Sequence, residues 1–259
     1  MRHTRVDPYE DVPRDIVATH NEYPARLLFP RHRHRRCQLL YASTGVARVN
    51  TADGSWVVPP QRALWIPAGV EHEVRMGEAV SMNSAYVRRE AAAAAGLPAQ
   101  CRVISVSPLL RALLLEAVDL PAHYELESRD GRLMALLLDE IQRMPALDLA
   151  TPLPRDRRLA GPCRRLLDAP ALDIRIDDMA AAAGMSRRSF TRLFRQQTGM
   201  SFAAWRQQAC LLEALTRLDR GEPVTRVAME LGYASASAFT AAFRRALGAP
   251  PSRYLGGVA

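Results

Sequence analysis

The chain has 259 residues and a formal net charge of +8, from 35 basic and 27 acidic side chains. That length supports two domains with separate cores, and the basic excess points to a polyanionic partner. No apolar run reaches the length of a membrane span and the charged N-terminus has no apolar signal segment, so a secreted or membrane protein is not expected.

From about Ala25 to Val106 the text is strand-like. Short runs such as Gln38–Tyr41, Trp56–Val58 and Ala63–Ile66 are punctuated by Gly and Pro, with Asp53-Gly54 as a hairpin signal. Many short strands in so short a stretch predict a small β-barrel or sandwich. Tyr41, Trp56 and Trp65 line either a pocket or the core. Two helices are expected next, Pro108 to Leu120 and Gly131 to Met144, the second with Leu133, Leu136, Leu137 and Ile141 at helical spacing. One face of each packs on the barrel, and a leftover leucine face is available for pairing two subunits. Met144 to Arg155, with three prolines and little periodicity, reads as an interdomain linker. The four cysteines (Cys37, Cys101, Cys163, Cys210) are scattered without a C-x-x-C pair, as in reduced cytoplasmic proteins.

The last hundred residues contain an internal repeat. Phe190-Thr191, Phe194-Arg195 and Gly199 recur 49 residues on as Phe239-Thr240, Phe243-Arg244 and Gly248; Ala180 and Gly184 recur as Ala228 and Gly232. Each copy reads as a short helix, a glycine turn and a longer helix, the outline of a helix-turn-helix. Phenylalanines at i and i+4 share one helix face, which must be the buried one. The buried faces are then Phe190, Leu193, Phe194 and Gln197 in the first copy, and Phe239, Ala242, Phe243 and Ala246 in the second. The exposed sides carry Arg187, Arg188, Thr191, Arg192 and Arg195, and in the second copy Ala236, Ser237, Thr240, Ala241 and Arg244. Ser186 and Ser235 stand where the longer helices need N-caps. Charge follows the repeat. From Arg155 onward there are 17 arginines against 9 acidic residues, whereas residues 1–154 hold 18 of each sign. Arginine forks suit guanine edges and phosphates alike.

On these residues the stretch Leu159 to Leu255 resembles the AraC/XylS family of transcription regulators. The second copy carries the most specific match: Val227-Ala228, Leu231-Gly232-Tyr233, Phe239, Phe243-Arg244, Gly248 and Pro251-x-x-Tyr254. The resemblance implies two helix-turn-helix units held by one long helix and reading successive major grooves. By position the base-reading residues fall on Arg188, Thr191 and Arg192, then on Ala236, Ser237, Thr240 and Ala241. The second set is less polar than the family pattern, which limits how much sequence that unit reads.

The N-terminal half resembles a cupin. His32-x-His34, Gln38 and Gly45 keep the spacing of the first cupin pattern, with Gln in place of Glu. Pro67-x-Gly69-x-x-His72 keeps part of the second, while Gln61 and Met76 replace its Gly and Asn. The resemblance implies that His32, His34 and His72, with Gln38 nearby, converge in the barrel and could hold one divalent metal ion. A metal-free effector pocket and a purely structural barrel remain open, because Arg31 to Arg36 also reads as a solvated basic run. Since neutral imidazole is the ligating form, metal occupancy is expected to fall below about pH 6.5.

The expected fold is therefore α+β in two domains. Residues 1–145 form a cupin-like barrel with trailing helices, 146–155 a linker, and 156–259 an all-α domain with two helix-turn-helix units. The expected function is sequence-specific transcription regulation under control of a small ligand or metal. A metal-dependent cupin enzyme fused to a DNA-binding domain is the alternative. Expected partners are double-stranded DNA, a small-molecule effector, a second copy of the chain in a homodimer, and RNA polymerase; no membrane is expected.

Overall fold

A computed structural model of the chain describes residues 9–252. They fall into two units, one running to Thr51 and from Trp56 to Asp148, the other comprising Ala52–Ser55 and the chain from Leu149 onward. Tyr254, the last residue of the family-like signature, lies outside the described residues.

The first unit contains β1 (Ile16–Tyr23), β2 (Leu28–His32), β3 (Cys37–Thr44), β4 (Ala47–Thr51), β5 (Gly54–Val58, of which Gly54 and Ser55 fall to the second unit), β6 (Arg62–Ile66), β7 (His72–Met76), β8 (Val80–Val87) and β9 (Arg102–Ser105). Helix α1 (Arg89–Ala94) precedes β9, and α2 (Pro108–Ala117), α3 (Arg129–Arg143) and β10 (Ala146–Leu147) follow it. One sheet has the order β1-β8-β3-β6-β9-β10. The other runs β5-β4-β7-β2, with β11 (Ala150–Pro152) beside the start of β5. β8 pairs antiparallel with β1 and β3, β7 with β2 and β4, β6 with β3 and β9, and β10 with β9, as hairpin connections allow.

Alternation assigns each face. Ile16, Ala18, Leu39, Tyr41, Ala63, Trp65, Ala85 and Val87 occupy one face of the six-stranded sheet and pack with Leu110, Leu114, Leu133, Leu137 and Ile141 of α2 and α3. The opposite face, with Leu40, Leu64, Ser84 and Tyr86, is buried as well. A sheet covered on both sides reads as continuous apolar text, which is why β3 shows no alternation in sequence. In β7, by contrast, His72, Val74 and Met76 are buried while Glu73 and Arg75 point outward. Tyr41, Trp56 and Trp65 are core residues. The hairpin signal holds, its loop being Ala52-Asp53 with Gly54 opening β5.

Four sequence expectations change. The run Arg89–Ala94 is helical, because five consecutive alanines carry high helix propensity that a strand-like flank concealed. Leu136 is exposed, one residue off the buried stripe of Leu133, Leu137 and Ile141, and joins Leu109, Leu115 and Leu126 as an exposed leucine. Ala246 is also exposed, since the buried face of its helix ends at Phe243. The segment 146–155 contains β10, paired with β9, and β11, in place of irregular chain.

The second unit is helical: α4 (Arg157–Asp168), α5 (Ile176–Ala182), α6 (Arg187–Thr198), α7 (Phe202–Asp219), α8 (Val224–Glu230) and α9 (Ala236–Leu247). Leu159, Cys163, Met179, Phe190, Phe194 and Trp205 share one core. The long α7 buries residues along its whole length and touches α6 on one side and α8 on the other. Trp205 Nε1 donates to Pro152 O at 2.7 Å, which satisfies the one polar atom of a fully buried indole.

Candidate functional sites: the recognition helices and a histidine cluster

Both repeats fold with the same local devices. Ser186 accepts from Ser189 N and Ser235 from Ala238 N, so each longer helix starts at a hydroxyl cap. Each ends at a glycine in the left-handed region, Gly199 at φ 74° and Gly248 at φ 83°, where a Cβ would be strained. Phe190 and Phe194 stack with ring centroids 5.5 Å apart, and Phe239 and Phe243 lie 5.6 Å apart. All four rings are fully buried.

With those rings inward, the opposite face of α6 is set. Arg187, Arg188, Thr191, Arg192 and Arg195 are all exposed and line one shallow groove with Gln196. Thr191 Oγ1 donates back to Arg187 O at 2.8 Å, and Arg187 lies 3.5 Å from Asp177 at the start of α5. Arg188, Arg192 and Arg195 are exposed and have no ion pair among the described residues, so no internal carboxylate holds their guanidinium groups. On α9, Ser237, Ala241 and Arg244 are exposed while Ala236 and Thr240 are half-buried. The two helices thus share a scaffold but offer different surfaces, arginine-rich in α6 and small in α9.

In the first unit, β2 and β7 are antiparallel, with His32 and His72 as register partners. His34 follows β2, and the ligating atoms of the three imidazoles lie within 4.8 Å of one another. His32 Nδ1 lies 2.8 Å from Pro30 O and His72 Nδ1 lies 2.9 Å from Val70 O. A carbonyl only accepts, so each Nδ1 carries the proton and each Nε2 keeps its lone pair. His72 Nε2 is buried with no hydrogen-bond partner. Carbonyls that orient imidazoles in this way are a common outer shell of metal sites. The donor set therefore fits a divalent transition metal with open positions for water or ligand.

Burial, then the neighbouring His32 and His72, push His34 down to about 4 against an opposing Glu10. Burial also brings His72 down to about 4, with the bond to Val70 O opposing it. Both rings are neutral well below pH 6.5. Proton competition at these two rings belongs near pH 4, lower than the sequence suggested.

Gln38 is placed differently from a fourth member of the cluster. Its Nε2 donates to Ser84 Oγ at 3.1 Å and to Tyr86 OH at 3.2 Å, and its Oε1 is buried without a partner. It connects to the histidines through Tyr86, on whose ring His34 packs edge-on at 5.4 Å. Tyr86, Ser84 and Glu10 were not legible as neighbours of the site. Period-two spacing of Ser84 and Tyr86 on β8 is the only signal that could have found the first two.

Residues 15–144 match the family model of the AraC-like ligand binding domain, and residues 179–257 match that of a helix-turn-helix domain. The chain belongs to the AraC family of transcriptional regulators. It is 33% identical over 229 residues to the HTH-type transcriptional regulator NimR of Escherichia coli K12, covering 88% of this chain and 83% of that one. The arabinose operon regulatory protein of the same organism is 31% identical over 140 residues, 51% of this chain and 47% of its own. A crystal structure of ToxT from Vibrio cholerae with bound unsaturated fatty acid is 13% identical, covers 100% of this chain and 99% of its own, and has a TM-score of 0.37.

This AraC-family chain is a DNA-binding regulator with an N-terminal ligand-binding domain. The relatives are named as regulators and not as enzymes, which sets aside the cupin-enzyme alternative. Among the described residues, no helix is long and apolar enough to cross a membrane.

Proposed function

We propose that the regulator reads specific DNA mainly through α6, with α9 adding position more than sequence. The observation that carries this is the exposed arginine face opposite Phe190 and Phe194. Arg188, Thr191 and Arg192 reach base edges, and Arg187 and Arg195 flank them for phosphates. In α9, Ala236, Ser237, Thr240 and Ala241 offer small contacts such as those suited to thymine methyl groups, while Arg244 meets the backbone. Residues 156–259 act as the DNA-binding part, 1–145 as the sensing part, with 146–155 between them.

The sensing part responds to a small molecule or divalent metal held by His32, His34 and His72, with Gln38 acting through Tyr86. Such an ion would present open coordination positions to an effector. Exposed Leu109, Leu115, Leu126 and Leu136 on and beside α2 and α3 supply an apolar face for a homodimer, and two subunits would engage two half-sites. RNA polymerase is the partner through which bound protein would change transcription, in the cytoplasm.

Genome-wide mapping of bound sites, followed by fluorescence anisotropy on the recovered sequence, tests the reading. Affinity at least a hundredfold above random DNA at equal salt is the expected result. Equal affinity for both would overturn it.

A further inference from the structure

The arginines that interleave with the cluster histidines are separate from that cluster in chemistry. Arg33, Arg35 and Arg36 lie just before β3, and Arg88 and Arg89 lie where β8 passes into α1. All five arginines line one cleft of about 640 Å³ together with Glu10 and Glu90, and Asp11 and Asp15 stand beside Arg35 and Arg88.

Their partners are unequal. Arg35 donates to Glu10 at 2.6 Å and to Asp11 at 2.8 Å. Arg36 is buried and gives its nitrogens to the carbonyls of Glu10, Val12 and Arg14, while the Glu10 and Asp15 carboxylates act on its charge only from a distance and burial works against it. Arg88 lies 3.8 Å from Asp15 and from Glu90, and its charge works against that of Arg36. Arg33 and Arg89 have neither an ion pair nor a hydrogen bond among the described residues. Arg89 Nη2 stands 3.6 Å from the point where a Cβ on Gly69 would lie, so the absent side chain leaves the guanidinium against bare backbone.

Isolated surface arginines are commonplace and solvated. Here two arginines without an ion pair or hydrogen bond among the described residues, from segments far apart in sequence, line one concavity of small-molecule size that also includes the buried Arg36. We propose that this cleft binds the oxyanion group, carboxylate or phosphate, of a small molecule, with Arg33 and Arg89 as its direct holders. Bidentate pairing with guanidinium gives both the strength and the geometry for such a group. His34 lines the cleft as well as the imidazole cluster, so a bound anion would touch the outer member of that cluster. The site stands without a metal and without any assumption about which bases α6 reads.

Isothermal titration calorimetry on the full chain, at fixed ionic strength and pH 7.5, would use inorganic phosphate and, separately, succinate. At least one is expected to bind, with phosphate alone assigning a phosphoryl group and succinate alone a carboxylate. The double variant Arg33→Gln/Arg89→Gln should weaken that binding tenfold or more. Arg188→Gln/Arg192→Gln removes the same charge from the DNA-reading helix and should leave it unchanged. No binding of either anion, equal affinity in wild type and Arg33→Gln/Arg89→Gln, or loss in Arg188→Gln/Arg192→Gln would each overturn the assignment. Operator affinity of the same variants, measured in parallel, reports on the DNA-reading proposal independently.

Discussion

His32 and His72 face each other across β2 and β7 with ring centroids 4.3 Å apart, and each spends its Nδ1 proton on a carbonyl two residues upstream. The same local bond on both strands turns two lone pairs away from the backbone. Because His34 completes the cluster, three imidazoles come together from segments that are distant in sequence.

Metal content is the direct check of that cluster. Full-length protein purified without chelator or affinity-tag metal should carry about one divalent transition ion per chain by elemental analysis. The variant His32→Ala/His34→Ala/His72→Ala should fall to background. Equal content in the two proteins would remove the metal from the proposal.

The neutral imidazoles also make a stability prediction for the metal-free protein. His34 and His72 sit near 4 when folded and near 6.5 when unfolded, so between those values the unfolded chain binds more protons. Stability should therefore be complete above pH 6.5 and fall as pH drops toward 4. Allowing for partial solvent access, the loss is of order 2 kcal/mol per histidine. Urea denaturation at pH 7.5 and pH 5 measures it. His34→Asn/His72→Gln should flatten the slope, and an unchanged slope would place the titrating groups elsewhere.

Arg188→Ala or Arg192→Ala should weaken binding to the specific site by roughly 1–3 kcal/mol and relax preference at one base pair. Anisotropy against a panel of single-base operator variants gives both numbers. Equal losses on specific and random DNA would make these arginines phosphate contacts.

The start of the DNA-binding fragment matters. Leu153 is buried in the α4–α7 core, and Pro152 O accepts from the Trp205 indole. A fragment beginning at residue 149 should be more stable than one beginning at 155 by about 1–3 kcal/mol in urea titrations. Matching midpoints would show that these contacts contribute nothing in isolation.

Charge placed on the exposed leucines tests subunit pairing. Leu115 and Leu136 are 42% and 43% exposed, so Leu115→Glu/Leu136→Glu should spare the fold. Sedimentation is expected to show a dimer for wild type and a monomer for the variant, with weaker operator binding as avidity is lost. A wild-type monomer at the concentrations used for DNA binding would end the dimer proposal.

The recognition helices were legible in the sequence because their determinants are local. A serine cap, phenylalanines four apart and a glycine beyond the last turn act within one helix, so spacing alone oriented Arg188 and Arg192 outward. The same reasoning failed at Ala246 and Leu136, where the edge of a buried stripe depends on how far the neighbouring element extends. It missed α1 because a short alanine run has little to mark it among strands. The histidine spacing suggested a cluster, but the register of β2 on β7 brought His32 and His72 face to face. Strand pairing also tied Gln38 to Tyr86 and set His34 between that ring and Glu10. The arginine cleft is further still from the sequence. Arg33 and Arg89 belong to segments with no pattern in common, and they share a cleft only because β3 and β8 pair side by side, which is a long-range contact that no local periodicity encodes.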